Sequence, residues 1–220
     1  QTCPLFAKSF LLASMFKLFL ILFDPDDHGS CARVDMSNMS QQTLLEIVIS
    51  KFKVGFNPFI DANGDQRPVS EWPGITFDDS GKNVTEIHWS DMYFVKKSEI
   101  ELQWLPQTVR YFEFEKSSIK CAVDLTALPE KLEVLSLAEN GHVGSVCLKN
   151  LPQPLTELYL QRNAFSGEIA LDSLPPGIRG IMINDNDFCG SLNLTQMPNS
   201  LEILDVSFNS FDGEVNLTQL

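Results

Sequence analysis

From Leu105 onward the apolar positions of this chain keep a fixed beat. Leu-Pro, once Met-Pro, opens a unit at Leu105, Leu128, Leu151, Leu174 and Met197, each 23 residues after the last. Counted from the first residue of a unit as zero, apolar side chains recur at offsets 0, 4, 7, 9, 14, 18 and 20. Offset 12 is Asn140, Asn163, Asn186 and Asn209, and offset 16 is Gly144, Gly167, Gly190 and Gly213. Offsets 7 and 9 (Leu135 and Leu137, Leu158 and Leu160, Ile181 and Ile183) alternate with period two, which predicts a short strand with both side chains inward. Strands from successive units then stack into one parallel sheet. A polar asparagine amid this pattern is expected to turn inward and bond backbone groups, because a buried amide without partners costs about 1–3 kcal/mol. The glycine suits a tight turn or a positive φ. Offsets 14 to 20 alternate again behind Phe165, Phe188 and Phe211, predicting a second extended run on a flank of the coil.

A single unit cannot fold alone. Seven buried apolar side chains contribute roughly 1.5–3 kcal/mol each, whereas ordering 23 backbones costs on the order of 1–2 kcal/mol per residue. Stacked units share a continuous core, so the pattern has to repeat. It weakens toward the N-terminus. In the first unit Ser117 stands at the asparagine offset and Cys121 at the glycine offset. Before it, Val84, Ile87 and Trp89 keep the spacing, and Ile100 and Leu102 close a slightly longer coil. Further upstream, Ser40 to Phe52 predicts a helix with Leu44, Leu45, Val48, Ile49 and Phe52 on one stripe.

The L-x-x-L-x-L-x-x-N spacing with this period resembles the leucine-rich repeats. N-x-F-x-G-x-I is similar to the plant-type repeats of receptor-like proteins, and the Leu-Pro punctuation resembles repeats in surface proteins of kinetoplastid protists. Plant-type units carry proline after the isoleucine, where this chain has Glu168-Ile169-Ala170-Leu171. Helix, then Trp72-Pro73-Gly74-Ile75, then Val84-Thr85-Glu86-Ile87 resembles the N-terminal cap of plant-type solenoids. Two cap cysteines of that family fall here on Ser70 and Phe77, so the cap disulfide is missing. The resemblance implies an α/β solenoid, mostly β: a right-handed leucine-rich repeat horseshoe with a helical N-terminal cap. It also implies a division into a hydrophobic leader (1–30), a cap (31–81) and repeats (82–220).

Charge narrows the partners. The net charge is −13, and residues 105–220 hold 7 basic and 15 acidic side chains. Nucleic acid and anionic membrane surfaces both demand Lys/Arg patches, and neither is expected to bind. Pro4 to Phe23 is a strongly hydrophobic run interrupted by Lys17 and ended by Asp24-Pro25-Asp26-Asp27. It reads as a signal peptide, an uncleaved membrane anchor or a helix packed on the cap. The chain begins at Gln1 and stops at Leu220, where the next unit would open, so a longer reading frame is expected. Four N-x-[ST] triplets, at Asn38, Asn83, Asn193 and Asn216, are glycosylation candidates or plain polar turns. Of the five cysteines, Cys121, Cys147 and Cys189 sit at offsets that do not stack, which favours free thiols over disulfides; Cys3 and Cys31 can pair only if the leader stays attached.

No motif of an enzyme appears: no G-x-S-x-G, no H-E-x-x-H, no phosphate-binding glycine loop and no C-x-x-C. His28, His88 and His142 fall in different contexts; His142 occupies a phenylalanine offset, where a loosened turn is expected rather than a catalytic base. Asp61 to Gln66 reads as a polar turn and not a calcium loop, because glycine and glutamate miss the required places. No cofactor and no metal are expected. The expected function is a protein-interaction or ligand-binding module of a surface or secreted repeat protein; the alternatives are a cytoplasmic scaffold or the repeat segment of a larger receptor kinase. The site is expected on the concave sheet, at offsets 6, 8 and 10, with 11 and 13 at the rim. Those positions are Glu86, His88, Asp91, Tyr111, Glu113, Glu115, Glu139, Glu157, Tyr159, Arg162, Asp185, Asp187 and Asp205. Tyrosines among acids predict a protein or peptide partner of basic character, because tyrosine anchors are enriched at interfaces and aligned charge speeds encounter.

Overall fold

A computed structural model describes residues 38–52, 57–92 and 98–213. Pro4 to Phe23, with Cys3, His28, Cys31 and Asn216, lies outside the described residues, and no helix among the described residues is long and apolar enough to cross a membrane. The chain divides into two units, Gln1–Met39 and Ser40–Leu220, and the second carries the architecture below.

The second unit opens with helix α1 (Gln41–Ile49). Ser40 caps its N-terminus, Oγ accepting from the Thr43 N–H at 3.1 Å. At the other end the Ser50 hydroxyl donates back to the Ile47 carbonyl, so the helix stops three residues short of Phe52. Phe52 is buried all the same and joins the apolar stripe formed by Leu44, Leu45, Val48 and Ile49. Among the described residues eleven strands follow: β1 (Ile75–Phe77), β2 (Val84–His88), β3 (Tyr111–Glu113), β4 (Val134–Ser136), β5 (Val143–Gly144), β6 (Glu157–Tyr159), β7 (Ala164–Glu168), β8 (Gly180–Met182), β9 (Asp187–Gly190), β10 (Ile203–Asp205) and β11 (Ser210–Phe211). They form a mostly-β leucine-rich-repeat solenoid. A seven-stranded sheet runs in the order β1-β2-β3-β4-β6-β8-β10, parallel except for the antiparallel β1–β2 pair. The flank run predicted at offsets 14 to 20 is strand only within offsets 13 to 17, where it forms the short sheet β11-β9-β7-β5; the described residues at offsets 18 to 20 alternate in burial outside any strand.

Each recurring offset has a physical task. Leu-Pro starts a turn: the carbonyls of Pro106, Pro129, Pro152, Pro175 and Pro198 each accept the N–H three residues on, at 3.0–3.1 Å. Proline pre-sets the φ this turn needs. Offset 7 stacks Ile87, Phe112, Leu135, Leu158, Ile181 and Leu204 in register, coil on coil. The asparagines turn inward as expected. Asn163 Nδ2 donates to the carbonyls of Leu137, Leu160 and Gln161 at 2.9, 3.1 and 3.3 Å, while its Oδ1 accepts the His142 N–H at 3.0 Å. One side chain thus ties its own coil to the one before it, and Asn140, Asn186 and Asn209 repeat the arrangement. The offset-16 glycines all hold positive φ, between 79° and 88°.

Two sequence expectations need correction. His142 does not loosen a turn: its ring is fully buried and stacks on Phe165 at 5.8 Å, continuing a ladder through Phe188 and Phe211. A flat imidazole replaces a flat phenyl ring with little change of shape. Gln161, at offset 10, one of the offsets expected to face outward, is half-buried with its Oε1 enclosed.

The cap is held without a cystine. Gln41 reaches from α1 to the first coil, Oε1 accepting the Val84 N–H at 2.6 Å and Nε2 donating to Asn83 at 3.1 Å. Gln42 Oε1 accepts the Val69 N–H at 2.5 Å. Below them Phe59 packs on Trp72 and Trp89, with ring centroids 4.8 and 5.3 Å apart. Among the described residues Cys121, Cys147 and Cys189 are all free, the first buried and the other two exposed.

Candidate functional site

Side chains at the even offsets of the long sheet form columns across the coils. Offset 6 aligns Glu86, Tyr111, Val134, Glu157, Gly180 and Ile203; offset 8 aligns His88, Glu113, Ser136, Tyr159, Met182 and Asp205. Strands stand roughly 4.8 Å apart, so neighbours within a column and along its diagonals touch. The register thereby gathers Glu86, His88, Tyr111, Glu113, Glu115, Glu157 and Tyr159 into one patch over β2, β3, β4 and β6.

Glu113 is its hub. One oxygen accepts from the Ser90 hydroxyl; the other accepts from the Tyr111 hydroxyl at 3.1 Å and faces His88 Nδ1 at 3.3 Å. Partial burial pushes the Glu113 carboxyl up, but the donors Ser90, His88 and Tyr111 outweigh it and hold the group below its ordinary range. The His88 ring stacks on Tyr111 with centroids 4.5 Å apart, and its Nε2 lies 3.4 Å from Glu86. Ser136 donates to Glu115, and the Tyr159 hydroxyl donates to Glu157 at 2.7 Å. Both tyrosines are pushed up to about 12, first by burial, then by the carboxylates beside them. They therefore remain neutral donors with fixed hydroxyl directions.

The remaining predicted residues lie apart. Arg162 and Asp185 sit at the rim, where Arg162 lies 3.6 Å from Glu139 and 3.7 Å from Asp185. Asp205 accepts the N–H and hydroxyl of Ser207, at 3.0 and 2.6 Å, and so closes a local turn two strands from Tyr159. Asp187 is exposed at the start of β9, in the other sheet. The rim holds a feature that the residue types do not announce: Asp91, Lys116, Glu139, Arg162, Asp185 and Phe208, all at offset 11 or its equivalent, take positive φ between 49° and 56°. Sequence reasoning also missed Ser90 and Ser136, whose hydroxyls fix the carboxylates, and the apolar Met182, Ile203 and Phe208 toward the far end. Ile203 and Phe208 are 56% and 78% exposed. All five occupy the same outward offsets, so extending the column count to every residue type finds them.

No family model matches this sequence, and no curated protein does. Solved structures do. The structure of Pollen Receptor Kinase 3 aligns with a TM-score of 0.59 at 18% identity, covering 80% of this chain and 86% of that one. The leucine-rich-repeat ectodomain of the receptor kinase SOBIR1 from Arabidopsis thaliana gives 0.60 at 19% identity, covering 80% and 98%. A chain of the BIR3–SERK2 complex from Arabidopsis thaliana gives 0.51 at 16% identity, covering 78% and 94%. At these identities the likeness is one of fold: the chain folds as plant receptor-kinase ectodomains do.

Proposed function

We propose that this chain is the binding module of a surface or secreted leucine-rich-repeat protein, and that the outward face of its long sheet takes a protein or peptide of basic character. The observation that carries this reading is the patch centred on Glu113, where two tyrosines and four glutamates are brought together and their polar atoms oriented by hydrogen bonds. Oriented groups lose little freedom when a partner docks, which favours affinity. Tyrosine supplies apolar area with a polar tip, and the carboxylates complement a cationic partner and steer its approach. The likeness to receptor ectodomains supports a location outside the cell. We read the division into leader, cap and repeats as 1–30, 31–81 and 82–220.

A catalytic reading of the serine, histidine and glutamate here is disfavoured by their order. Ser90 donates to Glu113, and both His88 ring nitrogens face carboxylates, so the imidazole is not aimed at the serine hydroxyl. The test is selection of displayed random peptides on the protein, followed by affinity measurements on the variants. Selected peptides should carry Lys or Arg; Tyr159→Ala should cost on the order of 1–2 kcal/mol of binding. Glu113→Lys with Glu157→Lys should slow association and flatten its salt dependence. Peptides that lack basic residues, or bind all variants alike, would refute the reading.

A further inference from the structure

The N-x-[ST] triplets are not equivalent in the fold. At Asn193 the side-chain Oδ1 accepts both the Thr195 N–H, at 3.1 Å, and the Thr195 hydroxyl, at 2.7 Å. Three coils earlier, at the same offset 19, Asp124 Oδ1 accepts the Thr126 N–H and hydroxyl at 2.8 and 2.6 Å. Where a side chain makes this turn, an acceptor oxygen and a hydroxyl two residues on suffice; an amide nitrogen takes no part. Asn193 is exposed, and its Nδ2 makes no bond that the turn requires. The residues at the same offset in earlier coils, Asp124, Cys147 and Ala170, line a flank groove of about 430 Å³; Asn193 lies outside that lining, and its own exposure leaves room for a bulky group.

Asn83 is the opposite case. Its Nδ2 donates to Asp78 at 2.6 Å and its Oδ1 accepts from Gln41 of α1 at 3.1 Å. The hydroxyl of its triplet, Thr85, turns away to the Thr76 carbonyl. A sugar on this half-buried amide would have to wedge between α1 and the Asp78 turn. In the third triplet, Asn38-Met39-Ser40, the hydroxyl is committed to capping α1.

We infer that Asn193 carries an N-linked glycan and that Asn83 does not in the folded protein. The inference rests on the surface or secreted reading above, because the co-reactant is a lipid-linked oligosaccharide diphosphate of the secretory pathway. The bond from Asn193 Nδ2 to the sugar C1 forms, the C1–O bond to phosphate breaks, the lipid diphosphate leaves, and Nδ2 loses one proton. Transfer meets the chain before it folds, so the fold decides which modified chains reach this structure: a glycan at Asn193 spends no bond of the solenoid, and one at Asn83 does. A glycan at offset 19 also lies off the long sheet and leaves its outward face open.

The experiment is secretion of the full chain from a eukaryotic host behind a host signal peptide, with peptide mass spectrometry after enzymatic glycan release in heavy-oxygen water. The host supplies the compartment, so a negative result counts against the site and leaves the surface reading to its own test. The Asn193 peptide should be labelled and the Asn83 peptide unlabelled. Asn193→Asp should remove one glycan's worth of mobility on a gel, and Asn83→Asp should remove none. Because Asp124 already makes this turn, Asn193→Asp should melt with the enzymatically deglycosylated parent, which carries aspartate at the same place. An unlabelled Asn193 peptide, a labelled Asn83 peptide, or a clearly lower melting temperature for Asn193→Asp would overturn the inference.

Discussion

His142 gives the fold a dependence on acid whose size follows from its surroundings. The ring is fully buried in the aromatic ladder, its Nδ1 lies 3.3 Å from the Cys121 carbonyl, and its Nε2 meets no partner among the described residues. A carbonyl only accepts, so Nδ1 carries the proton and Nε2 is the bare nitrogen. Protonating Nε2 would bury a charge with no acceptor. Burial accordingly lowers the pKa from 6.5 to about 4, the Cys121 carbonyl opposing the shift only in part. Because the folded value lies below the unfolded one, the unfolded chain binds more protons between the two, and stability falls as pH drops through that window. With these two values, linkage gives a loss of about 0.2 kcal/mol at pH 7 and about 2 kcal/mol at pH 5. His142→Phe should remove this dependence. Phenylalanine occupies the same offset in the next three coils, and the Cys121 carbonyl keeps its bond from the Val143 N–H at 3.0 Å. Denaturant unfolding of parent and variant at pH 7 and pH 5 isolates the effect, since the carboxylates titrate alike in both. The variant should match the parent within about 1 kcal/mol at pH 7 and gain about 2 kcal/mol on it between pH 7 and pH 5. Parallel pH profiles would mean that the imidazole is charged or solvated in the folded state, and would refute the burial argument.

Two further substitutions probe the coil devices. Asn163→Ala should lower stability by about 1–3 kcal/mol by stranding backbone groups of two adjacent coils, whereas the exposed Asn150→Ala should change it by under about 0.5 kcal/mol; equal midpoint shifts in urea would deny the asparagine its ladder role. Gly74 has φ +71°, and a Cβ there would meet the His88 carbonyl oxygen at 2.0 Å, while Gly64, at φ +88°, faces open space. Gly74→Ala should therefore destabilise by well over the roughly 1–2 kcal/mol that left-handed strain alone costs Gly64→Ala, and melting curves that rank the two the other way would show that the β1–β2 approach can relax.

The repeat was legible because each of its devices recurs at one offset with one residue type: proline for the turn, asparagine for the ladder, glycine for positive φ. The left-handed rim was not. Asp, Lys, Glu, Arg, Asp and Phe share no residue type; in the four later coils the next residue is the asparagine that sends its amide inward, and the bonds it makes offset the cost. His142 was misread for a related reason: the ladder selects a flat ring, and residue type alone suggested a polar break. Alternation alone placed Tyr111, Glu113 and Tyr159 outward. Which of them would bond depended on register, since Ser90 and Glu113 lie 23 residues apart and Ser136 and Glu115 lie 21 apart.

The patch around Glu113 has to be weighed against the plain role of acids in keeping an exposed sheet soluble. A carboxylate serving solubility alone gains by reaching into water, as the exposed Glu130 does. Glu113 does the reverse: its side chain is 23% exposed and three groups from two adjacent coils converge on it. Drawing a charge down onto a sheet incurs desolvation, which solubility alone does not require. The neighbouring columns sharpen the contrast. Offset 7 is apolar in every coil, whereas offset 6 runs Glu, Tyr, Val, Glu, Gly, Ile with no fixed residue type, so the period constrains the core and leaves the face free. Restraint that appears on the free face, at one place, and with donors from adjacent coils is what a preorganised binding surface requires, and the core gains nothing from it.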